Sequence, residues 1–225
     1  MADIAFEPAH ALARRLRRRE IGCEELMRLY LDRIVRHNPR LNAIVVLDRE
    51  QALKQAKAAD RDLAEGRLRG PLHGLPMTVK ESYDVAGWKT TWGNPAWKDN
   101  VAKADAAVVE RLKRAGAVIF GKTNVPLLLG DFQSYNEVYG QTNNPWDLAR
   151  IPGGSSGGSS AALAAGLTAL EAGSDIGGSL RNPAHYTGTY AHKPSYGIVP
   201  TRGQMPPGIV GAGDLSVVGP MARSA

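Results

Sequence analysis

The 225-residue sequence predicts an α/β fold, and three observations carry that expectation. Short apolar runs (NAIVVL at 42–47, LPMTVK at 75–80, AVIF at 117–120) alternate with longer segments whose apolar residues recur at helical spacing. Glycine or proline marks the ends of these segments. Strand, long connection, helix and further strand, in that order, describe a sheet with helices packed on it.

Residues 8–20 and 24–37 read as helices. In the second, Leu26, Tyr30 and Ile34 recur every four positions beside Met27, Leu31 and Val35, so one face is apolar, and Pro39 is expected to end it. Asn42–Leu47 is a strand, and Asp48 is placed to cap a long helix running to about Glu65, with Gly66 as its stop. Leu75–Lys80 is extended, with Pro76 suited to a strand start. Asp105 is placed to cap a helix at Ala106–Ala115, Gly116 closes it, and Ala117–Phe120 follows as a buried strand. A helix near Ser159–Ala165 leads through Gly166 into an apolar segment ending near Ala172. From Gly188 onward Pro194, Pro200, Pro206 and Pro207 suggest loops. The last residues, VVGPMARSA, do not close on a packed element.

With 43% apolar residues the chain can bury a sizeable core. Its net charge of +6 owes much to one run, Arg14, Arg15, Arg17, Arg18 and Arg19, which reads as a solvated helix face. No zinc-finger, RNA-recognition or aromatic-interleaved basic pattern accompanies it, so nucleic acid is not an expected partner. The single cysteine, Cys23, excludes a disulfide within the chain and a thiolate metal cluster, and no metal or cofactor is expected. No run reaches about 18 apolar residues and no signal-type apolar segment opens the chain, so neither membrane insertion nor export is expected, and a cytoplasmic location fits.

The functional signal lies in two serine-bearing glycine loops, GGSSGGSS at 153–160 and SDIGGSLR at 174–181. Gly153 and Gly158 have the interval of a phosphate-binding loop, but Ser159 stands where the lysine must be. Gly153–Gly157 matches a nucleophile-elbow string, yet Ala149-Arg150-Ile151-Pro152 is no strand to lead into it. Flexible turns would account for one such loop, though not for two accompanied by the lysine that closes Gly74-Leu75-Pro76-Met77-Thr78-Val79-Lys80-Glu81.

Together these elements resemble the amidase-signature family. Its pattern joins a G-x-P-x-x-x-K-[DE] strand, a G-G-S-S-G-G loop, a D-x-G-G-S-[IL]-R segment and a K-P-[ST]-x-G stretch. Here they are Gly74–Glu81, Gly153–Gly158, Asp175–Arg181 and Lys193–Gly197, and the interval from Ser155 to Ser179 is 24 residues, as in the family. The resemblance implies a mixed β-sheet core flanked by helices, incomplete here. Residues 1–225 would form the N-terminal portion of a single amidase domain, with a helical segment at 8–66.

The resemblance also implies an amidase that cleaves a carboxamide C–N bond. Ser179 would be the nucleophile, Ser155 the proton relay behind a cis peptide bond at Gly154–Ser155, and Lys80 the final base. A lysine can serve so only if burial lowers its pKa from about 10.4 by several units. Backbone N–H groups of Ile176, Gly177, Gly178 and Ser179, at the start of a short helix, would hold the oxyanion. Ser156, Asp175 and Arg181 are supports, Asp175 anchoring the loop. The implied partner is a small amide substrate, and a homodimer is left open. The A subunit of a glutamyl-tRNA amidotransferase and a truncated, non-catalytic fragment are the alternatives. Two departures stand out: Glu81 replaces the more usual aspartate, and Tyr186–Tyr190 stands where many members have a Cys-Gly pair.

Overall fold

The structure is a computed structural model describing residues 3–209 and 213–225. After a 3-10 turn at Ile4–Phe6, α1 (Ala9–Arg17) buries Leu12, Ala13 and Leu16 and leaves most of the arginine run in solvent. The next helix, α2 (Cys23–Leu41), is longer than its sequence suggests and passes through Pro39. A proline this close to a helix end removes one backbone donor without breaking the apolar face. The stop comes instead at Asn42, which is left-handed at φ 50° and donates its N–H to Asn38 O at 2.7 Å.

Strand β1 (Ile44–Leu47) follows, then α3 (Arg49–Ala64), capped as expected by Asp48, whose Oδ1 accepts Gln51 N–H at 2.9 Å. Strand β2 (Pro76–Lys80) is buried throughout. Helix α4 (Ala107–Arg114) is not capped by Asp105; that carboxylate accepts Ala86 N–H and the Lys113 ammonium instead. Strand β3 (Val118–Thr123) extends past the apolar run that announced it. A short hairpin, β4 (Tyr135–Asn136) and β5 (Gly140–Gln141), precedes α5 (Gly157–Ala164). Then come β6 (Glu171–Asp175), α6 (Arg181–Thr187), β7 (Tyr190–Ala191) and β8 (Val217–Ala222).

Two of these findings correct the sequence. The apolar segment after α5 is a connection, and the strand it leads into is the largely polar EAGSD. The stretch from Gly188 holds β7 and β8, although its residues 210–212 lie outside the described residues. Pro220 lacks an N–H, but its carbonyl still accepts His192 N–H at 3.1 Å, so β8 pairs on both sides.

The main sheet has six strands in the order β1-β3-β2-β6-β8-β7. Its centre is parallel (β3, β2, β6) and its flanks antiparallel, so the sheet is mixed, as the resemblance implied. The larger core cluster packs α1, α2, α3 and α5 on one side, and a smaller one packs α4 on the other. Lys80 and Asp175, at the carboxyl ends of the adjacent parallel strands β2 and β6, face a common cleft. In open α/β sheets that is where ligands bind.

Candidate active site

Lys80 ends β2 with no solvent exposure. Its Nζ lies 2.6 Å from Ser155 Oγ and 3.0 Å from Ser174 Oγ, donating to both. In the neutral amine the first contact can reverse, with the Ser155 hydroxyl donating to nitrogen. Burial pushes the Lys80 pKa down to about 7, against the opposing pull of Asp175 and Glu171. Ser174 also accepts from Gln204 Nε2 at 3.0 Å, and the same amide nitrogen donates to Ser82 Oγ.

The loop before α5 delivers Ser155, and the Gly154–Ser155 peptide bond is cis. Glycine is required here for space: a Cβ on Gly154 would stand 2.4 Å from Asp131 O. Ser134 braces the turn, accepting Gly157 N–H and donating to Gly153 O. The loop is then tied to its partner loop by one backbone bond, Ser156 N–H to Ser179 O at 3.1 Å.

Asp175 organises the second loop. Its carboxylate accepts Gly178 N–H and Leu180 N–H, both at 2.9 Å, and pairs with the Arg181 guanidinium at 3.0 and 3.1 Å. Burial alone would raise the Asp175 pKa; Arg181 and these N–H groups outweigh it and hold it below the usual carboxylate range. Because Gly178 N–H is engaged by Asp175, only Ile176, Gly177 and Ser179 among the described residues keep N–H groups without a partner in this turn. Ser156 touches the chain weakly, at 3.4 Å from Ser174 O.

Ser179 is half-buried and shares with Ser155 a cavity of about 560 Å³ walled by Trp92, Leu128, Phe132, Ile176 and Met205. The structure thus brings Lys80 and Ser155 into contact and sets Ser179 on the same cavity, with its hydroxyl unbonded among the described residues. Catalytic hydrogen bonds are often long in an unliganded site and tighten with substrate.

Glu171, not singled out in the sequence, lies within electrostatic reach of Lys80 and is itself fully buried. The signal that could have found it is a lone acid inside the run LTALEAG. Among the described residues no group of three or more His, Cys, Asp or Glu is placed to hold a metal ion, and no helix is long and apolar enough to cross a membrane.

Comparison with known proteins covers nearly the whole chain. Fatty-acid amide hydrolase 2 of Homo sapiens is 43% identical over 222 residues, 95% of this chain and 42% of that protein. The A chain of the glutamyl-tRNA(Gln) amidotransferase of Azoarcus sp. is 48% identical over 194 residues, 86% of this chain and 40% of that one. Among solved structures, one titled fatty acid amide hydrolase superposes with a TM-score of 0.93 at 32% identity, over 98% of this chain and 39% of its own. A crystal structure of an amidase gives 0.89 at 37% identity, over 97% and 49%. The chain therefore spans about two fifths of the length of the curated relatives it matches. The family model for Amidase matches residues 25–225, which contain both serine loops and the lysine strand, and on that match the chain belongs to the amidase family.

Proposed function

We propose that this chain carries the catalytic residues of an amide hydrolase, with Ser179 as nucleophile, Ser155 as relay and Lys80 as base. The observation that supports this best is the 2.6 Å contact between Ser155 Oγ and the amine of a fully buried lysine. A serine hydroxyl needs a base within reach, and a lysine brought to about pH 7 by burial is neutral often enough to be one.

Ser179 Oγ attacks the amide carbon while its proton passes to Ser155 Oγ and the Ser155 proton passes to Lys80 Nζ. The oxyanion that forms meets the N–H groups of Ile176, Gly177 and Ser179. On collapse the C–N bond breaks, and the proton returns through Ser155 to the departing nitrogen. Water then repeats the sequence on the acyl-enzyme. The apolar cavity walls favour an uncharged acyl group.

The test is labelling by a fluorophosphonate, read by peptide mass spectrometry, on this chain and on a protein extended past Ala225. An adduct on Ser179 that is lost in Lys80→Met is expected; no adduct in either protein would favour a non-catalytic fragment. An ammonia-releasing component of an amidotransferase is the rival, favoured by the 48% identity to such a protein. Glutaminase activity that appears only with partner proteins and charged tRNA would select it.

A further inference from the structure

Glu171 opens β6 with a fully buried carboxyl, and no hydrogen bond of normal geometry reaches either oxygen. Native cores seldom keep an acid in that condition, because a desolvated charge without partners is strongly unfavourable. The sheet register shows what surrounds it. Thr78 of β2 pairs with Glu171 in parallel, so both side chains leave the sheet on one face, and Lys80 shares that face two residues on. From β3 and α5 come Thr123 and Ser159, whose hydroxyls bond each other at 2.8 Å, and β8 places Met221 opposite. The charged and titratable neighbours are Lys80, Tyr83 just past the end of β2, Asp175 at the far end of β6, and Arg223 beyond β8. The Arg223 guanidinium is engaged by the carbonyls of Glu7, Leu163 and Thr168.

We propose that Glu171 is a positioning residue of this site: a buried carboxyl whose charge, felt by Lys80 across the β2–β6 pair, decides whether the amine is free to act as a base. This rests on the assignment of Lys80 as that base. Two acids favour the ammonium form of Lys80, Asp175 more and Glu171 less. Asp175 is fixed in its ionised form by Arg181 and backbone N–H groups, despite its burial. Glu171 has no such partners, and burial pushes it up to about 7 even with the hydroxyls of Thr78, Ser159 and Thr123 nearby. Of the two charges, that of Glu171 is the one that changes near neutrality. With a proton on Glu171 the ammonium loses an attractive neighbour and Lys80 releases its proton more readily. With Glu171 ionised, Lys80 holds it.

Carbon NMR of protein labelled at glutamate Cδ tests the pair directly, with Glu171→Gln assigning the signal. A carboxyl titrating near pH 7 is expected, and Lys80→Met should raise its midpoint by about one unit, since a positive neighbour is gone. By reciprocity, Ser179 labelling by the fluorophosphonate should rise with pH about one unit earlier in Glu171→Gln than in the unaltered chain. Glu171→Asp, which restores the charge, should return the curve toward its original place and also serves for assignment if Glu171→Gln does not fold. A Glu171 midpoint in the ordinary carboxylate range, or one unmoved by Lys80→Met, overturns the proposal whatever the reactivity. Labelling of Ser179 that is absent at every pH in the unaltered chain overturns the Lys80–Ser179 assignment instead, and the NMR midpoints still decide whether the two groups are coupled.

Discussion

Two buried glutamates lie close to Lys80, and the chain treats them in opposite ways. Glu81, the next residue, accepts Thr91 N–H at 2.6 Å, Trp92 N–H at 2.9 Å and the Tyr139 hydroxyl at 3.2 Å. The neighbouring buried lysine, Lys122, donates to Lys89 O and to Thr90 Oγ1. Every polar tip in that region has a use within the fold. Across β2, Glu171 has no hydrogen bond of normal geometry, and Lys80 touches only two serine hydroxyls, one of which opens onto the cavity. A saturated polar cluster fixes the backbone around it. One left short of partners keeps protons mobile, and it sits where the cleft is.

The largest expected effect separates the two lysines. Lys80→Met should reduce the rate of Ser179 labelling by ~10²–10⁴-fold, the usual loss when a general base is removed. Lys122→Met should reduce it far less, provided the variant folds. Lys80→Met should also stabilise the protein. A lysine with its folded pKa depressed to about 7 binds fewer protons than the unfolded chain up to pH 10.5. Its penalty is therefore full below pH 7 and fades as pH rises toward 10.5. The gain should reach up to ~5 kcal/mol near pH 6 and be small by pH 10, read by urea unfolding at each pH. In the unaltered chain, labelling should climb through about pH 7 as Lys80 becomes neutral.

Next in size, the two glutamates should respond with opposite signs. Glu81→Gln places an amide NH₂ against a backbone donor and should cost roughly 2–4 kcal/mol. Glu171→Gln has no hydrogen bond of normal geometry to lose. A carboxyl raised from 4.5 to about 7 is penalised fully above pH 7 and not at all below 4.5. The substitution should therefore gain up to ~3 kcal/mol at pH 8 and nothing at pH 4.5. Equal destabilisation by both substitutions would erase the distinction between the clusters.

Arg181→Ala probes whether the Asp175 loop resembles the saturated cluster. The guanidinium is about half exposed, and Asp175 retains two strong N–H donors, so a loss of about 1 kcal/mol in stability is expected. Labelling of Ser179 should fall modestly with it.

The same division explains what the sequence made legible. Apolar periodicity and glycine stops located β2, α3 and the cores of α2 and β3, because burial of one face determines those patterns. The four motif segments led to the Lys80–Ser155 contact for a related reason: glycine at 154 answers a steric demand that leaves a mark in the sequence. Pro39 misled because a breaker near a helix end matters less than the Asn42 turn just beyond it. Asp105 misled because its carboxylate found Lys113 and Ala86 in place of a helix end. Strand β8 was hidden by Pro220 and by a register that only the folded sheet supplies. Glu171 was invisible as a site residue for the same cause, since its neighbours come from β2, β3 and α5, and no local spacing records them.

Ser156→Ala is the smallest and most discriminating change. The Ser156 hydroxyl makes only long contacts, 3.4 Å to Ser174 O and 3.5 Å from Ser174 N, whereas its backbone N–H holds Ser179 O at 3.1 Å. Alanine keeps that backbone bond and removes only the weak pair, so stability should fall by about 1 kcal/mol or less. If the two loops are joined through the backbone, Ser179 labelling should change by less than about threefold, which corresponds to a similarly small energy. A tenfold loss would mean that the hydroxyl at 156 takes part in the proton path beside Ser155. The sparsely bonded side of the molecule would then contain three serines acting with Lys80 instead of two.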